Sequence, residues 1–394
     1  MPKIDFKAQA EALRDELVER RRDFHRHPEL AFQEVRTAGI VARELQNLGL
    51  EVQAGVGRTG VIGLLEGAQD GPTVLVRADM DALPIIEENQ TDYVSATPGI
   101  MHACGHDGHT AIALGVAKLF AQQRENLAGR IKFVFQPAEE IVGGAKAMIA
   151  DGALDSPKPD VSLGLHLWNT MPLGVIGVAD GPVMAAASVF TIIINGKGGH
   201  AASPHLANDP VVCAAQLILA LQSIVSRNVN PFDTAVVSVT MMKASDADNI
   251  IPERVELQGT FRTFTLEVRD FVDRRIREIS EAIATAMNCT VEVTTGHGVP
   301  PTINDPKVAA RVREIFTPIV GADNLDMSSR TMGAEDMSLF MEKVPGMYFF
   351  VGSANEARGL NYGHHHPRFD FDEDALPLGV ALLSAAVAEY VLPE

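Results

Sequence analysis

The sequence predicts an α/β protein with a mostly parallel sheet flanked by helices and a smaller α+β domain inserted in it. Short apolar runs at residues 73–78, 130–136 and 161–166 are typical of strands buried on both faces of a parallel sheet. A helical segment, residues 109–123, lies between the first two runs. From residue 188 the order becomes strand-helix-strand-strand-helix-strand, which is the ferredoxin-like arrangement.

The N-terminal segment is predicted to be helical. Residues 6–26 carry apolar side chains at a helical spacing, and Pro28 stops the helix. A second helix, residues 34–48, ends at a glycine. His25 and His27 could be metal ligands, but histidines in the last turn of a helix also complement its dipole, and we favour that structural role.

The insert has its own set of elements. Its predicted strands are residues 188–195, 234–242, 255–264 and 289–295, and its predicted helices are 209–227 and 267–287. The first pattern then resumes with helices at 306–318 and 335–343, a strand at 347–351 and a terminal helix at 374–391. We therefore expect domains at 1–186, 187–298 and 299–394, with the first and last forming one discontinuous domain.

Composition excludes several classes of partner. The formal charge of −18, from 33 basic and 51 acidic residues, argues against nucleic acid and anionic membranes. Three cysteines, at positions 104, 213 and 289, give no disulfide framework and fit a reducing compartment. We see no signal-type apolar core at the start and no apolar run of membrane-spanning length. The expectation is a cytoplasmic protein.

Residues 101–109, MHACGHDGH, are the most informative stretch. They place a thiol, three imidazoles and a carboxylate within nine positions. Thiolate and neutral imidazole are ligands that zinc prefers, and Gly105 lets the loop fold back so that Cys104 and His106 can face one ion. The alternative is a reduced cysteine packed under a helix N-terminus beside solvated histidines.

Polar side chains also follow the predicted strands. Asp79 and Asp81 end the first strand, Glu139 and Glu140 follow the second, and His166 ends the third. Open α/β sheets place their sites at the carboxyl ends of their strands. The alternative interpretation is that Glu139 and Glu140 are surface residues and that His166 is a hydrogen-bonded core residue.

The two adjacent glutamates should have different roles. Neighbouring side chains of an extended segment point in opposite directions, so one of Glu139 and Glu140 can bind a metal while the other acts on water. A later run, His364-His365-His366, can send only one or two imidazoles to a single site.

In combination, these motifs resemble the dinuclear metal-dependent aminoacylases and carboxypeptidases, in the branch of hippurate hydrolases and plant auxin-conjugate amidohydrolases. The resemblance covers nearly the whole chain. It is carried by the segments HRHPEL (25–30), RADMDALP (77–84), HACGHD (102–107), QPAEE (136–140), GGHAASP (198–204), NIIP (249–252), GAED (333–336) and HHPRFDFDE (365–373).

The resemblance implies a zinc-peptidase-like catalytic domain that holds two divalent metal ions per subunit. Cys104 would bridge the ions, and Glu139 would be the general base. The remaining implied ligands are His106, Glu140, His166 and His365, with His364 or His366 as substitutes for the last. Asp79 and Asp81 would orient ligands. Zinc is favoured by the thiolate, and manganese, cobalt and nickel stay open.

A thiolate bound to metal is no longer available for attack. A Cys104 nucleophile with His106 as its base is therefore the disfavoured mechanism.

The resemblance also gives the insert a role in dimerisation and as a lid. It implies that His200 reaches the neighbouring subunit's active site, and that Asn249 and Arg262 hold the substrate carboxylate. We expect a homodimer or tetramer that hydrolyses N-acyl-L-amino acids of the hippurate or N-acetyl type. The alternatives are a dipeptidase or carboxypeptidase with the same metals, and a non-catalytic relative that binds amino-acid conjugates.

Overall fold

The computed structural model describes residues 4–392. Its α-helices are α1 Phe6–Glu11, α2 Arg14–Arg26, α3 Val35–Asn47, α4 His106–Ala121, α5 Gly144–Ala150, α6 Pro210–Ser223, α7 Leu266–Ala286, α8 Pro306–Val320, α9 Met337–Met341 and α10 Ala375–Val391. Its strands are β1 Glu51–Val56, β2 Gly60–Glu66, β3 Gln69–Asp79, β4 Ala128–Gln136, β5 Val161–Pro172, β6 Ile176–Gly177, β7 Gly181–Met184, β8 Ala186–Asn195, β9 Gly199–His200, β10 Ala235–Lys243, β11 Ile250–Ile251, β12 Arg254–Thr263, β13 Thr290–His297, β14 Thr302–Asn304, β15 Leu325–Asp326 and β16 Gly346–Ala354.

The chain forms two compact units. The first takes in residues 4–181, 303–329 and 336–392 of the described chain, and the second takes in 182–302 and 330–335.

The first unit is built on an eight-stranded sheet, as the predicted α/β class requires. The strand order is β1-β2-β4-β3-β5-β16-β6-β15. The four central strands, β4, β3, β5 and β16, run parallel to one another. The hairpin β1–β2 extends this core antiparallel, and so does β6 on the other side.

The register brings the ends of the parallel strands together. Asp79 at the end of β3 pairs with Gln136 at the end of β4, and His166 on β5 pairs with Phe350 on β16. The expectation that His166 ends its strand is wrong, because β5 continues to Pro172. Since Arg77 on β3 pairs with Gly164 on β5, His166 nevertheless lies level with Asp79, near the same edge of the sheet.

Helices α4 and α10 pack against each other and against this sheet. Fourteen of the sixteen residues of α4 are buried, so this helix forms part of the hydrophobic core. The buried apolar strand residues Phe133, Phe135, Leu163 and Leu165 belong to the same core cluster. The helix and strands that carry the site are therefore part of the hydrophobic core.

The predicted N-terminal helix is divided. Residues 6–26 form two helices, α1 and α2, because α1 ends at Glu11 and α2 begins at Arg14. The expectation of one continuous helix is wrong at this point. Apolar periodicity reports which residues face the core, and it does not report a local change of direction.

The second unit contains a four-stranded sheet of order β10-β12-β8-β13, in which all three pairs are antiparallel. Helices α6 and α7 pack on it. With α6 between β8 and β10 and α7 between β12 and β13 in the chain, this is the predicted ferredoxin-like arrangement.

One helix of the second unit meets the length and composition for crossing a membrane. It spans Pro210–Asn228, which corrects the expectation that no apolar run is that long. Its buried side chains Cys213, Leu217 and Leu221 belong to the core of the second unit.

Candidate metal centre

The loops that follow the parallel strands converge on one cluster of ligand-type side chains in the first unit. Three of the groups whose ligand atoms lie within 4.8 Å of one another contain the predicted ligands: Cys104 with His106 and His166, Cys104 with Glu140 and His365, and His106 with Glu139 and Glu140. Cys104, His106 and Glu140 each belong to two of these groups, so the three groups form one continuous cluster.

The loop carrying Cys104 turns into α4 at Gly105. This glycine has φ 88°, in the left-handed region that side chains disfavour. The turn places His106 in the first position of α4 with its ring 1% exposed.

His106 presents an open nitrogen to the cluster. Its Nδ1–H donates to the main-chain oxygen of Asp81 at 2.9 Å, so in the neutral imidazole, the form that binds a metal, the lone pair is on Nε2. That Nε2 and the Oε1 of Glu140 lie 3.9 Å apart, and both are buried without a hydrogen-bond partner among residues 4–392. Unpaired buried polar atoms are costly, and a divalent cation between them would satisfy both. The donor set therefore fits a metal.

His166 is oriented in the same way. Its Nδ1–H donates to the main-chain oxygen of Leu167 at 2.7 Å, and its Nε2 lies 3.6 Å from the sulfur of Cys104. A hydrogen bond on one ring nitrogen fixes the tautomer and directs the other nitrogen towards a metal.

The three late histidines have separate roles. His364 donates from Nε2 to the main-chain oxygen of Leu167 at 2.9 Å. His366 accepts the main-chain N–H of Arg368 at 3.0 Å. His365 alone of the three lies beside Glu140, with 3.3 Å between its Nε2 and Oε2. The geometry thus supports His365 as the late ligand.

The two glutamates sit in a compact turn, residues 138–144, which we call the Glu139 turn. The main-chain N–H groups of Glu139 and Glu140 donate to the two carboxylate oxygens of Asp81, each at 3.0 Å. Ala138 has φ 52° and Val142 has φ 56°, which are unusual for residues with a side chain. Such strain persists where the surroundings fix the backbone, and it is frequent at functional sites.

His109, one of the three imidazoles of the MHACGHDGH stretch, has no ring nitrogen left for a metal. Its Nδ1–H donates to Asp79 at 2.6 Å, and its Nε2 accepts the main-chain N–H of Leu167 at 2.9 Å. Asp79 in turn accepts from the guanidinium of Arg77 at 2.7 Å. These contacts link the end of β3 to Leu167 within β5, next to His166.

Charge at the cluster is strongly negative. Burial, together with the carboxylates of Glu140 and Glu139, raises the pKa of Cys104 well above its usual value. Burial alone would lower the pKa of His106, but the nearby Asp79 and Asp81 raise it to about 10. Such an environment attracts cations.

His25 contacts two acidic side chains, which differs from the helix-dipole role that the sequence favoured. Its two ring nitrogens contact Asp107 at 2.8 Å and Glu87 at 3.1 Å. Asp107 also accepts from the buried guanidinium of Arg21 at 2.8 Å. Arg21, Glu87 and Glu34 were not singled out from the sequence, because their partners lie far away along the chain.

The remaining predicted residues lie in the second unit. His200 pairs with Ile250 across β9 and β11, and the N–H of Ala201 donates to the main-chain oxygen of Asn249 at 3.1 Å. His200 and Asn249 are exposed, while Arg262 lies on β12 and is partly buried.

Comparison with known proteins decides the family. The model of peptidase family M20/M25/M40 matches residues 75–389. The chain belongs to this family. It is therefore a metal-dependent hydrolase of the M20 type, as expected from the resemblance.

Three similar proteins illustrate the range of the M20 family. A thermostable carboxypeptidase 2 from Saccharolobus solfataricus is 39% identical over 387 residues, which cover 97% of each chain. An N-acetylcysteine deacetylase from Bacillus subtilis is 39% identical over 366 residues, or 93% of this chain and 94% of that protein. The crystal structure of the Bacillus subtilis YXEP protein, a dinuclear metal binding peptidase from the M20 family, has a TM-score of 0.84 and 36% identity, covering 96% of this chain and 99% of that one.

Proposed function

We propose that this chain hydrolyses the amide bond of N-acyl-L-amino acids of the N-acetyl or hippurate type, releasing a carboxylate and a free amino acid. The observation that carries the proposal is the position of Glu139. Its carboxylate lies within 4.8 Å of the ligand atoms of His106 and Glu140, and its residue is only 8% exposed. The deacetylase among the relatives supports an acylated amino acid as the substrate.

Two divalent ions per subunit would be held by five side chains. These are Cys104, His106, Glu140, His166 and His365, and the dinuclear relative supports the number of ions. When bound, the ions would polarise the scissile carbonyl and make water more acidic. Thiolate favours zinc, while manganese, cobalt and nickel remain alternatives.

Glu139 is the residue that moves protons in this proposal. Water adds its oxygen to the acyl carbon and transfers a proton to the Glu139 carboxylate. Glu139 then delivers that proton to the amide nitrogen as the carbon–nitrogen bond breaks. The Asp81 carboxylate, through the N–H groups of Glu139 and Glu140, keeps the general base beside the ligands.

The second unit would supply the groups that recognise the substrate. We infer that the exposed His200 completes the site of a neighbouring subunit, in a homodimer or tetramer formed through the inserted domain. Asn249 and Arg262 would bind the substrate carboxylate, because a guanidinium matches two oxygens with two donors. Light scattering of the purified protein tests the oligomer, and a monomer would contradict this part of the proposal.

The substrate class is tested by a panel of N-acetyl, N-benzoyl and indoleacetyl amino acids together with dipeptides. Each is assayed after chelation and again after addition of each metal. We expect the acylated amino acids to be turned over fastest. Faster turnover of dipeptides would favour the carboxypeptidase or dipeptidase function, which the similarity to the thermostable carboxypeptidase also supports.

The general base is tested by Glu139→Gln. Turnover should fall by about 10²–10⁴-fold while the metal content stays unchanged. Glu88→Gln is the control, because this exposed side chain pairs with Arg368 outside the cluster. A Glu139→Gln variant with normal turnover would contradict the role of Glu139.

A further inference from the structure

The main-chain N–H groups at the start of the Glu139 turn are all held by buried carboxylates. Ala138 N–H donates to Oε1 of Glu34 at 2.9 Å, and the next two N–H groups donate to Asp81 at 3.0 Å each. Glu34 and Asp81 are 0% and 1% exposed. Two buried carboxylates from different parts of the chain therefore fix three consecutive peptide groups.

Glu34 is itself held in place. It precedes α3, and its Oε1 also accepts the N–H of Phe32 at 3.0 Å. Its Oε2 accepts the hydroxyl of Thr59 at 2.5 Å. The carboxylate thus has donors on both oxygens, and only one of these donors belongs to the Glu139 turn.

The bond from Ala138 acts at a point where the backbone needs support. Ala138 has φ 52°, and its carbonyl oxygen accepts the N–H groups of Gly143 and Gly144 at 3.1 Å each. A Cβ atom on Gly144 would lie 1.5 Å from the oxygen of Pro137, so the turn is closely packed. A shift of Ala138 would move the two glutamates that follow it.

We propose that Glu34 is a positioning residue for the hydrolytic site: it holds the Glu139 turn so that Glu139 and Glu140 face the ligand cluster. The inference rests on the proposed function of Glu139 and Glu140. Removal of groups that orient metal ligands typically reduces metal affinity or activity by about 10–100-fold.

Glu29 provides a matched control. Its carboxylate accepts the N–H groups of Arg36 and Thr37 at 2.9 and 2.8 Å, so it supports the same helix α3. Its side chain has no hydrogen bond to the Glu139 turn. Glu29→Ala should therefore report the cost of weakening α3 without displacing the two glutamates.

The experiment compares Glu34→Ala, Glu34→Asp, Glu34→Gln and Glu29→Ala in the full chain. For each variant, kcat and KM are measured on N-acetyl amino acids, thermal unfolding is recorded, and Co²⁺ is titrated into chelated protein while thiolate-to-cobalt absorption is followed. Glu34→Asp is included because it keeps the charge but is one methylene too short to reach Ala138 from the same backbone position.

We expect Glu34→Ala and Glu34→Asp to lose about 10–100-fold in kcat and in Co²⁺ affinity, with KM changed less than about threefold. Glu34→Gln should stay within about threefold of the wild type, because the amide oxygen can accept the Ala138 N–H and the amide NH₂ can donate to the Thr59 hydroxyl. Normal kcat and Co²⁺ affinity in Glu34→Asp, or equal losses in Glu29→Ala, would overturn the inference.

Cobalt affinity separates this inference from the proposed function. Wild-type protein that is inactive on every acylated amino acid, with weakened Co²⁺ binding in Glu34→Asp, would refute the substrate class and leave the positioning role standing. Active wild-type protein with unchanged kcat and Co²⁺ binding in Glu34→Asp would refute the positioning role alone.

Discussion

Arg21 should be among the side chains that contribute most to the stability of the first unit. Its guanidinium is fully buried and donates to three carboxylates: Asp107 at 2.8 Å, Asp370 at 2.7 Å and Glu373 at 3.3 Å. Arg21→Met keeps much of the aliphatic volume but leaves Asp107 and Asp370 without this guanidinium, while Glu373 keeps its pair with Arg22. Breaking a buried ion pair in this way costs about 3–5 kcal/mol.

Arg22 is the matched control, because it pairs with the same Glu373 at 2.6 Å but has a side chain that is 32% exposed. Exposed pairs contribute about 0–1 kcal/mol. Differential scanning calorimetry should therefore show Tm lowered by roughly 6 °C or more for Arg21→Met, and by roughly 0–4 °C for Arg22→Met. Equal shifts in the two variants would refute the reasoning that burial makes the Arg21 pairs indispensable.

Three further outcomes are expected. His365→Ala should retain less metal after dialysis than His364→Ala, as measured by elemental analysis, because the His364 ring contacts Leu167 and the His365 ring contacts Glu140. Equal retention in the two variants would contradict the assignment of His365 as a ligand. Burial raises the pKa of Asp370, but the contacts with Arg21 and Tyr93 outweigh burial, so the pKa in the folded protein is lowered. The ionised Asp370 carboxylate therefore stabilises the fold above about pH 4, and this stabilisation is lost as the pH falls through the pKa of Asp370 in the folded protein. Urea unfolding of Asp370→Asn should accordingly depend less on pH below about 4, and an unchanged slope would count against this. Lys132→Met removes donors to the carbonyls of Ala153, Asp155 and Pro157, so unfolding free energy should fall by about 2 kcal/mol or more with kcat unchanged.

Local pattern was sufficient for the architecture around the site. Apolar runs identified the central parallel strands, and the residues at their ends identified the acidic and imidazole groups that the fold brings together. This succeeds because strand burial and the geometry of strand ends are both properties of short segments. The edge hairpin β1–β2 was not predicted, and its strand β1 has mostly exposed residues that give no such signal.

The supporting residues contact groups that lie far away along the chain, and a single sequence does not show which residues meet. Glu34 meets Ala138 across 104 positions, and Arg21 meets Asp370 across 349. The resemblance already named His365 as the late ligand, with His364 or His366 as substitutes. The contacts of the three rings, which only the folded chain displays, favour His365 over the other two.

X-ray absorption at the edge of the bound metal is the most direct test of the metal centre. If Cys104 is a ligand, wild-type protein should show one sulfur scatterer at about 2.3 Å together with nitrogen and oxygen at about 2.0–2.2 Å, and Cys104→Ser should lose the sulfur. Metal-loaded, active wild-type protein without sulfur in its coordination shell would contradict the account.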